Sequence, residues 1–530
     1  EGDFTASRRY REGTNVLETT FTTSTGRVRV TDALNVGAAG RLPWNEIARR
    51  VDGLTGSVHL RWEVAPGTRF GQARPFTWDR GTHPVVQVGD QQLGVTSFDL
   101  GDVEVGPHGV RGEVTVTAGD SGLLVLVATD NEPVPLPRRP SVESRLENTA
   151  RSWEQWAAGV SYDGPWREQV LRSALALKLL LYAPSGAIAA APTTSLPECV
   201  GGPKNWDYRY SWVRDSSFTL DAMIALDLRE EVHAAVSWLL GTVATTAPDL
   251  HVFYKLDGRV ANEERELSAP GYRNSTPVRD GNSAAGQSQL GTFGDLFDTV
   301  WRYAGEGHLL DASTGNLLAL LADECCDRWT QPDSGIWELN DIEHYTISKI
   351  GCWVALDRAC HLADAGHLPG AHAARWAVER DELRAWVNDN CWSEKKSAYT
   401  IYAGTDDLDA AVLLAGRTGF ERGQRLSSTI DAVRAELGRG PFVYRYSGMQ
   451  HEEGAFVACS FWLADALVRC GRMKEAKDQM DGAVAGANEV GLLAEQIDPA
   501  SGEFLGNFHQ GLSHLALINA AYAYQQSTSS

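Results

Sequence analysis

Near residue 140 the spacing of apolar side chains changes from every second residue to every third or fourth. That change divides the chain into a β part and an α part. In "SVHLRWEV", Val58, Leu60, Trp62 and Val64 alternate with His59, Arg61 and Glu63, the period of a half-buried strand. "GRVRV" and "GEVTVTAGDSGLLVLVA" read the same way, with Gly, Asp and Ser turns between them. Residues 1–132 are therefore predicted to form an antiparallel β-sandwich. The Pro-rich "EPVPLPRRP" disfavours helix and inner strand, so 133–150 is predicted as a linker. From 151 to 530 amphipathic helical segments recur, starting with "WREQVLRSALALKLLLYA" behind Gly164-Pro165. About a dozen such segments suit a closed ring of helical hairpins, and the lack of an exact repeat argues against a solenoid. Long loops on one rim are the expected seat of function.

Length and charge narrow the function. A chain of 530 residues exceeds one ordinary core. A formal charge of −21 argues against nucleic acid and anionic lipid, which need a Lys/Arg surplus. No stretch of about 18 uncharged apolar residues is present, so no membrane span is expected. The eight Cys are scattered without a C-x-x-C pair, so no zinc site is expected. Several fall in apolar helical patterns, as free thiols in a reducing cytoplasm would. The chain begins at Glu1, not Met, which leaves a removed signal peptide open.

The stretch "NWDYRYSWVRD", Asn205 to Asp215, has too many charges for a core strand and too many rings for a solvated loop. If it is extended, Trp206, Tyr208, Tyr210, Trp212 and Arg214 share a side. Asp215 then stands at a plausible N-cap of the helix in "DSSFTLDAMIAL". Rings beside a guanidinium and a carboxylate suit a sugar, whose C–H faces and hydroxyls need different partners. A core plug with a capping Asp would use the same residues.

"GPKNWDYRYSWVRDSSFTLDA" strongly resembles the bacterial branch of glycoside hydrolase family 15, which includes glucoamylases, glucodextranases, isomaltose-releasing enzymes and trehalases. The resemblance covers nearly the whole chain. It implies a trehalase-like N-terminal β domain followed by an (α/α)6 barrel. It also implies that Arg214 and Asp215 grip a terminal glucose, that Tyr208 lies near the catalytic centre, and that Trp212 walls the pocket.

Two further stretches fit that resemblance. "DSGIWEL" puts Glu338 beside Trp337, where partial desolvation raises a carboxyl pKa, as a general acid needs. Read alone, Glu338 is a surface residue; its match to the family's G-x-W-E motif implies the acid, with Trp337 as a substrate contact. "GLLAEQIDP" carries Glu495 in an apolar run, and its match to the family's E-Q motif implies the general base. Asp498 is read as capping the turn that follows. An inverting pair of this kind is expected to stand roughly 6.5–9.5 Å apart.

The resemblance further implies that Arg445, in "FVYRYSGMQHEEGAF", contacts sugar hydroxyls and that Glu453 caps a helix or reaches the leaving group. His451-Glu452-Glu453 begins like H-E-x-x-H but fails at Ala455, so no metal is expected. In "IEHYTISK", His344 and Lys349 match trehalase-like relatives, while Ile347 replaces a second His. Leu339 replaces the acidic residue that follows the acid Glu in fungal members. Both departures are placed on the leaving-group side, which weakens strict trehalose specificity. "DDLDAA" resembles the Asp-rich magnesium sites of isoprenoid cyclases but has the wrong spacing, and reads as acidic residues opening a helix.

The function expected first is an inverting exo-acting hydrolase releasing β-glucose from the non-reducing end of short α-glucosides or α-glucans. The alternative is an α,α-trehalase. A different class is an inactive sugar-binding protein on the same scaffold. No cofactor is expected, the partner is a small oligosaccharide or α-glucoside, and the oligomeric state is left open.

Overall fold

The computed structural model describes residues 3–37, 40–78, 83–261 and 263–529. It divides into two compact units, Glu1–Gly159 with Leu267–Ala269, and Val160–Glu266 with Pro270–Ser530.

The first unit holds strands β1 (Phe4–Tyr10), β2 (Leu17–Thr23), β3 (Gly26–Leu34), β4 (Asn45–Val64), β5 (Phe76–Trp78), β6 (Val85–Val88), β7 (Gln91–Phe98), β8 (Val103–Gly106), β9 (Gly109–Thr117) and β10 (Ser121–Asp130). Their order is β1-β2-β3-β4-β10-β7-β6-β5, with β9 pairing both β4 and β8, and every pairing is antiparallel. The long β4 serves two layers. Its first half pairs with β3 and β10, and its second half, from Ser57, pairs with β9. Gly56, at φ +62°, makes the bend between them. Val51, Val86, Val95 and Leu124 meet Val58, Val110 and Val116 between the layers.

The opposite face of the larger sheet is also covered. Helix α1 (Arg139–Ala158) lays Val142, Leu146 and Ala150 on Leu123, Val125 and Val127. Burial on both faces explains why "GLLVLVA" is nearly continuous in apolar residues. This helix corrects the linker expected over 133–150. The chain is extended only to Arg138, and Pro140 lies in the first helical turn, where its missing N–H costs nothing. The first compact unit accordingly runs past 151 to Gly159. Arg145 fixes α1 through Glu46, donating from Nε at 2.8 Å and Nη2 at 2.6 Å.

The second unit carries α2 (Arg167–Leu180), α3 (Val213–Ala225), α4 (Arg229–Ala244), α5 (Gly291–Gly305), α6 (Ala312–Arg328), α7 (Thr346–Asp364), α8 (Ala373–Asn390), α9 (Leu414–Thr418), α10 (Gln424–Leu437), α11 (Val457–Arg469), α12 (Met473–Val484) and α13 (Gly511–Ser529). Helices α3, α5, α7, α9, α11 and α13 contact one another in that order, and α13 returns to α3. The remaining six pack outside them, closing an (α/α)6 barrel. Burial follows the layers: α7 is enclosed along most of its length, whereas α8 buries only Trp376, Leu383 and Val387. Connections from inner to outer helix are short, such as 226–228 and 470–472. Those from outer to inner helix are long, including 181–212, 245–290, 329–345, 438–456 and 485–510. The long set shares the rim at the N-termini of the inner helices. No described helix is long and apolar enough to cross a membrane.

Candidate active site

Trp206 to Trp212 runs extended along that rim, and Arg214 follows in the first turn of α3. Main-chain bonds from Ala191 to Tyr208 and from Ala190 to Tyr210 hold one edge, and Ser211–Trp212 pairs with Phe253–Tyr254. Trp206, Tyr208, Trp212 and Arg214 line a cavity of about 470 Å³. Tyr210 does not line it, contrary to the single side expected. Its ring lies 5.3 Å from Phe253, outside the cavity, where Arg209 doubles back on Asp207. Trp212 stacks on the same Phe253 at 4.4 Å and is 1% exposed.

The buried end of the cavity carries Arg214 and Asp215. Arg214 Nε and Nη2 each stand 3.0 Å from Asp215 Oδ2, and Nη1 donates to the Ile336 carbonyl at 2.8 Å. Burial pushes the Asp215 carboxyl above its usual value, and the Arg214 charge pulls it back. Asp215 is not the N-cap. Trp212 holds that position, and Asp215 lies in the first turn of α3, where the helix dipole favours an anion.

Glu338 sits in a turn before α7, with α6 already ended at Arg328. Its backbone φ is +61°, a left-handed conformation uncommon for Glu. The Trp212 indole donates to Oε1 at 2.7 Å, and Arg214 Nη2 lies 3.8 Å from the same oxygen. Burial raises the Glu338 carboxyl; the Arg214 charge and the Trp212 N–H lower it. Gln287 holds the main chain by donating to the Glu338 carbonyl at 3.0 Å.

Glu495 is fully buried on a strand, Ala494–Ile497, between Ala455–Phe456 and Phe504–Phe508. The Tyr208 hydroxyl donates to Oε1 at 2.8 Å, and the Asn507 main-chain N–H donates to Oε2 at 2.9 Å. Burial raises this carboxyl to about 7 against those two donors. Gly506 admits the side chain: a Cβ there would stand 2.3 Å from Glu495 Oε2. Tyr208 and Trp212 meet edge to face at 5.4 Å, so the two rings join the Glu338 and Glu495 carboxylates. Asp498 closes the following turn by accepting from Ala500 N and Ser501 Oγ.

Arg445 also lines the cavity, clamped from behind. Nε donates to Glu453 Oε1 at 2.6 Å, Nη2 bonds Glu453 Oε2, and Nη2 reaches Glu198 at 3.1 Å. Glu453 neither caps a helix nor lines the cavity; it holds Arg445 and Lys204, the latter at 3.0 Å. Trp337 lines the cavity, donates to Asp409 Oδ1 at 2.9 Å, and lies under the Arg445 guanidinium. Asp409 opens a helical turn, as its stretch implied, and burial raises its carboxyl to about 7.

His344 and Lys349 are not brought to this cavity. Lys349 is fully buried on α7 and donates to the carbonyls of Trp329 and Gln331. His344 packs its ring 5.5 Å from Trp386. Both side chains lie near Trp386 of α8 instead, Lys349 Nζ at 6.0 Å from its ring centroid. Ile347 does not line the site cavity; it lines a neighbouring space of about 60 Å³ that shares Arg214 and Ile336 with it. Leu339 does line the site cavity.

Sequence reasoning missed Glu198, Lys204, Glu264 and Arg279, and gave Trp206 and Asp409 no role of their own beyond the aromatic and acidic stretches that hold them. Glu198 is 1% exposed, and burial raises its carboxyl to about 8. These residues lie singly in loops without a repeating pattern. Only Trp206, within the aromatic stretch, and Asp409, within the acidic one, carried a readable signal.

The model of Glycosyl hydrolases family 15 matches residues 164–473 and 468–522. A protein named Trehalase from Mycolicibacterium smegmatis is 35% identical to this chain, over 97% of this chain and 82% of that protein. One of the same name from Thermoplasma volcanium is 30% identical, over 97% and 83%. Among solved structures, a bacterial glucoamylase complexed with acarbose superposes with a TM-score of 0.74 at 13% identity, over 99% of this chain and 86% of that one. That likeness is one of fold.

Proposed function

The chain belongs to glycosyl hydrolases family 15, and on that premise we propose that it is an inverting α,α-trehalase. The observation that carries this reading is the likeness to relatives named Trehalase across 97% of the chain, both units included. It favours the alternative over the short α-glucosides expected first. Ile347 does not line the cavity, which removes one reason for doubting trehalose.

In this mechanism the terminal glucose rests against Trp212, with its hydroxyls on Arg214 and Asp215. Glu338 enters protonated and gives its proton to the glycosidic oxygen as the C1–O bond breaks. A water on the opposite face of C1 loses its proton to Glu495 as its oxygen bonds to C1. Each oxygen of Glu495 already accepts one protein hydrogen bond, and a carboxylate has room for further ones, including that water. The cycle ends with Glu495 protonated and Glu338 ionised, and solvent exchange restores both.

Inversion makes the attacked glucose β, while the leaving glucose keeps its α configuration. Proton NMR in the first moments of trehalose hydrolysis should show the two anomers in equal amounts. Release of α-glucose alone would sink the inverting assignment. A higher kcat/KM on maltose or isomaltose than on trehalose would sink the substrate assignment. Glu338→Gln and Glu495→Gln should each abolish turnover; unchanged turnover would overturn the roles given to both carboxylates.

A further inference from the structure

Trp206 lies six residues before Trp212 on the segment that floors the cavity, away from its buried end. Arg214 and Asp215 side chains are 14% and 4% exposed, whereas Lys204 and Glu452 are 25% and 56% exposed. The cavity is therefore more open towards Lys204 than at Arg214, and Trp206 stands two residues from Lys204. One face of its indole is covered by the Arg279 guanidinium, 4.6 Å from the ring centroid. Arg279 is itself pinned. Its Nε stands 3.0 Å from Glu264, and its Nη1 donates to the Pro203 and Asn205 carbonyls at 3.0 and 3.4 Å. The Trp206 carbonyl accepts from Ser195 N at 2.9 Å and Asn507 Nδ2 at 3.0 Å. The ring is thus fixed in direction before any ligand arrives, and it lines the cavity.

We propose that Trp206, backed by Arg279 and Glu264, is the platform that receives the leaving hexose and makes the enzyme select a second sugar. The inference rests on the trehalase reading and adds the residues that recognise the leaving half of the substrate. A pyranose offers a C–H face to an indole and hydroxyls to its surroundings, and the cavity that the ring lines also carries polar Asn282, Ser283, Glu264 and Lys204. An apolar aglycone would displace water from those groups without replacing its hydrogen bonds. A phosphorylated one would need uncommitted cations, but Arg279 is paired with Glu264, and Lys204 with Glu452 and Glu453. Trp206 touches the sugar in this account; Arg279 is a positioning residue that acts through the ring.

The test compares trehalose with α-D-glucosyl fluoride, which carries the same terminal glucose and no second sugar. Trp206→Ala should lower kcat/KM on trehalose roughly 10–100-fold, mostly through KM. The fall on the fluoride should be smaller by about tenfold or more. Arg279→Ala should shift the same ratio, and Trp206→Phe should restore part of it; these two variants carry the test if Trp206→Ala does not fold. Equal falls on both substrates, or no fall on either, would overturn the proposal. Failure of the trehalase reading looks different: the unaltered enzyme would then prefer another disaccharide to trehalose.

Discussion

The indole N–H of Trp212 donates to Glu338 Oε1 at 2.7 Å, across 126 residues of sequence. A donor aimed at a carboxylate favours its ionised form, so Trp212 opposes the burial that keeps Glu338 protonated. Trp212→Phe removes the donor and retains a ring. The proton on Glu338 is then lost at higher pH, and the basic limb of the kcat/KM profile should move alkaline. A hydrogen bond to a charged group is worth about 1.5–3 kcal/mol, which corresponds to about one to two pH units. A basic limb that stays in place would refute the role given to Glu338.

Glu495 sets the acidic limb. Its carboxyl, raised to about 7 by burial, must be ionised to take a proton from water, so activity should fall as the pH drops through that value. The Tyr208 hydroxyl lowers it. In Tyr208→Phe the carboxyl should hold its proton to higher pH, and the acidic limb should move alkaline by about a pH unit. Rate profiles on trehalose between pH 5 and 9 would check the direction.

Gly506 leaves no room for a methyl group beside Glu495. Its φ is +71°, and an added Cβ would fall 2.3 Å from Glu495 Oε2. Gly506→Ala should displace the carboxylate by a fraction of an ångström or more and lower kcat by about 10²-fold. Binding of glucose, measured by calorimetry, should change far less. A variant with full kcat would show that Glu495 tolerates displacement and is not the base.

Lys349 separates stability from chemistry. Its ammonium caps the carbonyls of Trp329 and Gln331 inside the barrel. Lys349→Met leaves both without that donor, at a cost of about 1–3 kcal/mol for each group left unsatisfied. Thermal unfolding should shift to lower temperature, while KM for trehalose at 25 °C should stay the same. A raised KM with an unshifted melting temperature would restore the sugar contact that the sequence implied.

Which parts were legible follows from how far each signal extends along the chain. The change of period near residue 140 is a property of long stretches, and both the layered sheets and the helical ring follow from it. Trp212, Arg214 and Asp215 sit within one short motif, so their shared cavity could be read from it. Helix α1 was hidden because Pro140, usually a breaker, stands where a helix tolerates it. His344 and Lys349 misled because the motif gives their spacing but not their packing against Trp386 of α8. Arg279 covers Trp206 from 73 positions away, and no local pattern encodes that pairing. Glu198 is a lone Glu in a loop whose burial arises only when Arg445 folds against it.

The left-handed backbone of Glu338 has one more consequence. A glycine would occupy φ +61° with less strain, and non-glycine residues held in such regions cost about 1–3 kcal/mol. Glu338→Gly would shed that strain but leave the buried Trp212 N–H without its acceptor, so the bond that positions the acid also offsets the cost of its backbone at a single α-carbon.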